Sequence, residues 1–198
     1  MDRNVFELLG DGAWVSGSAK DLPEVSALLR RTADICFEIN SIRPSDAARR
    51  DVLLRGLLGA AGNNMVINPP FRCDFGHNIH IGDNFIGNFN LTVLDEAKVS
   101  IGDNVMIGPN CTLATITHAM LPDQRNAGIM RALPITIGNN VWLASNVTVL
   151  PGVKIGDNSV IGAGSVVTKS VPASTFAAGN PCRPIRPITD KDRVAPGP

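Results

Sequence analysis

Net charge is missing from this chain: 18 Lys and Arg balance 18 Asp and Glu over 198 residues, and no basic tract stands out. A role resting on bulk attraction to nucleic acid gains no support from that balance. Long apolar runs are missing too. No window approaches the roughly 18 uninterrupted apolar residues of a membrane span, and the first residues lack the charged, apolar, then small-residue order of a secretion signal. A soluble cytoplasmic protein without a membrane partner is expected. The four cysteines, Cys36, Cys73, Cys111 and Cys182, lie far apart with no C-x-x-C spacing, so reduced thiols are expected rather than a disulfide framework or a zinc site. No Gly-x-Gly-x-x-Gly or phosphate-loop pattern follows a strand.

What the chain has is a period of six. Ile137, Leu143, Val149, Ile155, Ile161 and Val167 are aliphatic at successive hexads. A helix repeats every 3.6 residues and a flat strand every 2, so a sustained six belongs to a solenoid whose three short faces close one triangular coil. Ile81-Gly-Asp-Asn, Ile101-Gly-Asp-Asn, Ile137-Gly-Asn-Asn and Ile155-Gly-Asp-Asn repeat near the coil spacing, and Gly with Asn or Asp suits corners that need positive φ. The interval from Ile101 to Ile137 is twice that from Ile137 to Ile155. A loop over residues 116–133 therefore projects from the coils, too long for a corner.

Ahead of the repeats, Val25, Leu28, Leu29, Ala33, Cys36 and Ile39 fall at helical spacing, with Pro23 tolerated in the first turn. Pro44 and Ser45 start a second helix whose stripe, Ala48, Val52, Leu54, Leu57, Leu58 and Ala61, runs until Gly62 ends it. The expected organisation is an N-terminal helical segment over 1–62, a β-helix over 63–187 and a tail over 188–198.

Three histidines are present: His77, His80 and His118. His80 precedes an inward Ile and should point outward, and His77 has no evident partner. His118 lies where the repeat breaks, in a place a solenoid does not need for its own stability. A three-histidine zinc site would need another histidine close downstream, and none follows; no metal is expected. Thr168 and Lys169, with Arg183 and Arg186 after them, form a cationic group suited to phosphates, or simply a solvated end of the molecule.

Asn88-Phe89-Asn90 with Asp95, Thr117-His118 ahead of a long loop, Pro134 to Trp142 and Ala178 to Arg183 resemble the maltose and galactoside O-acetyltransferases. Phe37-Glu38-Ile39-Asn40 and Pro44-Ser45-Asp46 extend the resemblance into the helical segment. It implies a mainly β fold, a left-handed parallel β-helix, assembled as a homotrimer with sites between subunits. It further implies acetyl-coenzyme A as donor, a sugar hydroxyl as acceptor and no metal. By position His118 matches the catalytic histidine, an imidazole that takes the hydroxyl proton and returns one to the leaving thiolate. Asp21, Asn88, Asp95, Glu96 and Met130 match acceptor contacts, and Cys73 stands where the galactoside enzymes carry a serine that touches the sugar. Ser145, Ala163, Thr168 and Lys169 match the coenzyme A groove, Arg183 and Arg186 basic residues near its phosphates, and Trp142 is a candidate for packing on the pantetheine arm. The Ser145 N–H is a candidate oxyanion donor. Other acceptors within this chemistry are an oligosaccharide or an antibiotic; a reading from another class is a non-catalytic trimeric scaffold.

Overall fold

In a computed structural model that describes residues 5–17, 22–195 and 197, the coils form a parallel β-helix. Three parallel sheets form its faces. Face one stacks Ala60–Ala61, Ile79–Ile81, Val99–Ile101, Ile135–Ile137 and Lys154–Ile155. Face two runs from Val66–Ile67 through Ile86–Gly87, Met106–Ile107, Trp142–Leu143 and Val160–Ile161 to a terminal hairpin, Thr175–Gly179 with Cys182–Pro187. Face three stacks Phe71–Cys73, Leu91–Leu94, Thr112–Ala114, Thr148–Val149 and Val166–Val167.

The hexad register becomes three columns of inward side chains. Ala61, Ile81, Ile101, Ile137 and Ile155 are in pairing register on face one. Ile67, Gly87, Ile107, Leu143 and Ile161 follow on face two, and Cys73, Val93, Leu113, Val149 and Val167 on face three. The six residues that set the period are all at most 1% exposed, so burial of one column per face is what the period records.

The corner after face one has the positive φ that the repeated motif predicts, and the residue that adopts it is the asparagine two places after the glycine: Asn64, Asn84, Asn104, Asn140 and Asn158 have φ between 55° and 61°. Asparagine tolerates that region because its short amide bonds locally. Here the amides form a ladder, each Nδ2 donating to the Oδ1 one coil on, at 2.9, 3.0, 3.1 and 2.9 Å. The glycine serves close approach instead. A Cβ on Gly102 would lie 2.9 Å from the Asn139 N and the Gly138 carbonyl carbon.

Three helices precede the coils: α1 (Val5–Gly10), α2 (Pro23–Ser41) and α3 (Ala47–Leu57). The α3 helix starts later than Pro44-Ser45 suggests, because Asp46 is its N-cap, accepting the Arg49 N–H at 3.4 Å. It also stops short of Gly62. Ala60 and Ala61 pair with His80 and Ile81 and are already the first strand of face one; Leu54, Leu57 and Leu58 are buried as expected, but Val52 is 69% exposed. Face three would otherwise end in an open edge at Phe71–Cys73, which α2 covers: the Asn40 amide donates to the Phe71 carbonyl at 2.9 Å and accepts the Phe71 N–H at 2.8 Å. Residues 188–193 are tied down by a short 3-10 turn capped by Thr189 and an ion pair between Arg186 and Asp192 at 2.7 Å. No helix among the described residues is long and apolar enough to cross a membrane.

Candidate active site

The excursion between Thr115 and Pro134 is an antiparallel hairpin, Ile116–His118 with Met130–Ala132, carrying a short helix α4 (Pro122–Asn126) at its tip. His118 is opposite Met130 in that hairpin. The chain before α2 adds a third strand, since Val15 and Met130 exchange both backbone bonds at 2.8 and 3.0 Å, and Arg131 stacks over Trp14 at 5.1 Å. The strand opposite the histidine is therefore held on both sides, by His118 on one and by Val15 on the other.

A cleft of about 480 Å³ opens beside His118, walled by Leu22, Val25 and Leu29 of the helical segment and floored by Phe75, Leu94 and Glu96; Met130 and Arg125 close it from the loop. His118 is exposed and Glu96 half-buried. Glu96 hydrogen-bonds Asp74, and its Oε2 lies 3.4 Å from Thr115 Oγ1. Burial and the neighbouring Asp74 charge push the Glu96 carboxyl up to about 8, and burial also raises Asp74. The two carboxyls interact, so the charge on one disfavours charge on the other.

Of the acceptor candidates, the structure brings Glu96 and Met130 to His118 but not the others. Asp95 is fully buried; its Oδ1 accepts the N–H groups of Asp74 and Phe75 at 3.1 and 2.8 Å, so it shapes the corner beneath the cleft rather than lining it. Cys73 is an inward residue of face three and meets Cys36, Sγ to Sγ 3.9 Å, instead of the cleft. Strand alternation explains the correction: Phe71 and Cys73 face inward, and Asp74, the next polar residue, reaches the site only through Glu96. Sequence reasoning missed Asp74 and Arg125; the Asp-Phe-Gly that follows an alternating strand was the available signal for the first. Asp21 lies outside the described residues. His77, for which no partner was evident, stacks on Phe75 with centroids 5.8 Å apart, and His80 is half-buried with its proton affinity lowered, chiefly by burial.

Asn88 and the donor candidates sit elsewhere on the prism. Asn88, Ser145 and Ala163 occupy the corner between faces two and three, whereas His118 springs from the corner after face three. Trp142 points outward from face two, 47% exposed. Thr168 and Lys169 are exposed two coils beyond the hairpin, and Arg183 and Arg186 lie on the terminal strand. Arg186 is taken up by Asp192 and Phe176. Among the described residues, Lys169 and Arg183 have no carboxylate within ion-pair distance.

Family models match three stretches of the chain: the maltose acetyltransferase hexapeptide capping motif over residues 19–62, the hexapeptide repeat of succinyl-transferase over 98–117, and the bacterial transferase hexapeptide over 134–169. Galactoside O-acetyltransferase of Escherichia coli is 45% identical across 98% of this chain and 94% of its own length. The chain belongs to the maltose and galactoside O-acetyltransferase family. A putative acetyltransferase of Saccharomyces cerevisiae is 48% identical over 86% of this chain and 87% of its own length. Among solved structures, a maltose O-acetyltransferase from Clostridium difficile superposes with TM-score 0.90 at 38% identity, covering 94% of this chain and 98% of that one. A galactoside acetyltransferase in complex with coenzyme A gives 0.89 at 44% identity, covering 96% and 94%. The capping-motif match covers α2 and α3, and α2 both covers the edge of the first coil and walls the cleft.

Proposed function

We propose that the chain is a cytoplasmic acetyl-coenzyme A dependent O-acetyltransferase that acetylates a hydroxyl of a sugar or similar small polyol, with His118 as general base. Family membership supports the acetyl chemistry, since relatives are named galactoside and maltose O-acetyltransferases and one is solved with coenzyme A bound. The observation that carries the rest is the grouping of His118, Glu96 and Met130 around one cleft of about 480 Å³, a size suited to a small acceptor.

A hydroxyl is a poor nucleophile at neutral pH. His118 takes its proton as the oxygen attacks the thioester carbonyl, then gives a proton to the departing thiolate; such help is worth roughly 10²- to 10⁴-fold. Glu96, hydrogen-bonded to Asp74, offers a partner to neighbouring hydroxyls and orients the attacking oxygen. The Ser145 N–H has no backbone acceptor among the described residues and suits the developing oxyanion. Lys169 and Arg183, without a carboxylate partner among the described residues, fit the phosphates of the donor.

These donor-side groups and His118 occupy different corners of one prism, so a site containing both needs a second copy of the chain. The outward side chains of face two supply a surface for it: Val66, Ile86, Met106 and Trp142 stand in one register ladder at 42 to 48% exposure. A homotrimer closed on that face completes three sites.

The decisive measurement is acetyl-coenzyme A dependent thiol release across maltose, glucose, galactosides and aminosugars, comparing wild type with His118→Ala. Acceptor-dependent release that falls at least a hundredfold in the variant is expected. Release indifferent to the substitution removes His118 from the mechanism.

A further inference from the structure

Three contacts zip α2 antiparallel along the edge strand of the first coil. Asn40 grips the backbone of Phe71 at one end, and Thr32 Oγ1 donates to the Phe75 carbonyl at 3.4 Å at the other. Midway, Cys36 Sγ lies 3.9 Å from Cys73 Sγ. The spacing is self-consistent: four helical residues advance about 6 Å and two strand residues about 6.6 Å, so 40, 36 and 32 match 71, 73 and 75. Both backbones are held on either side of the sulfurs, which keeps the two thiols facing each other.

The two thiols are also unlike. Cys36 is buried, yet its sulfur contact with Cys73, aided by Arg72, brings its pKa down to about 7, whereas the same contact and burial raise Cys73. One sulfur is thus suited to attack and the other to resolve. Cys73 is half-buried and gives the pair a path to solvent. Neither thiol has a part in the proposed acetyl transfer.

We propose that Cys36 and Cys73 form a peroxide-responsive dithiol, oxidised to an intramolecular disulfide that ties α2 to the first coil. The oxidant is hydrogen peroxide, little larger than water. The Cys36 thiolate attacks the O–O bond, forming a sulfenic acid and releasing hydroxide; Cys73 sulfur then attacks Cys36 Sγ, expelling the second oxygen as hydroxide. Those two hydroxides take up the two protons the thiols lose. Two thiols and one peroxide give one disulfide and two waters, the two electrons passing from sulfur to oxygen. A thiol reductant reverses it by exchange. The bond joins a wall of the cleft to its floor, because α2 carries Val25 and Leu29, and Asp74, which follows Cys73, bonds Glu96.

The test reads thiols and is independent of acetyl transfer. The full chain is treated with hydrogen peroxide, quenched with catalase, unfolded in N-ethylmaleimide and weighed intact and as peptides without reduction. Two of the four cysteines should escape alkylation, with the protein lighter by two hydrogen masses before alkylation, a peptide linking residues 36 and 73, and full recovery after dithiothreitol. Cys73→Ser should instead yield a Cys36 sulfenic acid captured by dimedone. The proposal is overturned if all four thiols persist until methionines oxidise, if the lost thiols are recovered as sulfinic acids or intermolecular disulfides, or if Cys73→Ser gives no dimedone adduct at Cys36. Should that variant not fold, the wild-type linkage decides alone.

Discussion

Glu96 binds its proton more tightly in the folded chain than in the unfolded one, its pKa moving from an ordinary 4.5 to about 8. Between those values the folded state holds the extra proton, so this group lowers stability as pH rises through that window, and its cost is absent below it. Melting temperature should therefore fall from pH 5 to pH 8 with a slope that Glu96→Gln flattens; an unchanged slope in the variant would assign the effect to other groups. The same cleft carries a lesson about legibility. His118 stood out in the sequence because a break in a strict repeat isolates residues the coil does not need, whereas Glu96 and Met130 were named only by resemblance to the family, and the structure groups all three at one cleft. Asp95 and Cys73 lie away from that cleft, since a one-residue difference along a strand decides whether a side chain enters the core or the cleft, and pairing of the first coil sets which it is. Asp74→Asn should leave the fold intact while raising the acceptor KM more than it lowers kcat, measured with the best acceptor of the panel.

The helical cap is the element on which the first coil depends. Asn40 satisfies both polar groups of Phe71, which is 1% exposed, at the open edge of face three. Asn40→Ala leaves a buried donor and acceptor unpaired, and a loss of about 1–3 kcal/mol is expected; denaturant unfolding measures it, and a loss below a few tenths would mean that water replaces the amide. The apolar stripe of α2 was legible because burial against the coils imposes helical spacing. Where α3 ends was not: Leu58 continues the pattern, but Ala60 and Ala61 are claimed by pairing with His80 and Ile81, a contact twenty residues away that local periodicity does not encode. Likewise the loop was legible as an interruption, while its hairpin and the brace from Val15 arise from pairing between distant segments.

For the whole molecule, period six predicts a prism, yet which face another copy covers depends on the outward residues. The exposed ladder Val66, Ile86, Met106 and Trp142 lies on face two, the face on which the proposed assembly closes. Met106→Glu, placed mid-ladder, should leave the coil folded by circular dichroism but yield smaller particles in sedimentation velocity; unchanged assembly would assign the contact to a different face. The asparagine ladder has a consequence of another kind. It joins Asn104 to Asn140 across the whole excursion as directly as it joins Asn140 to Asn158 across a plain coil. The spacing along the columns is six residues from face one to face two and six from face two to face three, for instance from Ile101 to Ile107 to Leu113. Every added residue falls at the third corner, between Cys73 and Ile81, Val93 and Ile101, and Leu113 and Ile137. The molecule therefore has two conservative edges and one inventive edge, and descendants of such a chain can lengthen, shorten or exchange the segment around the cleft without renegotiating the architecture that carries it.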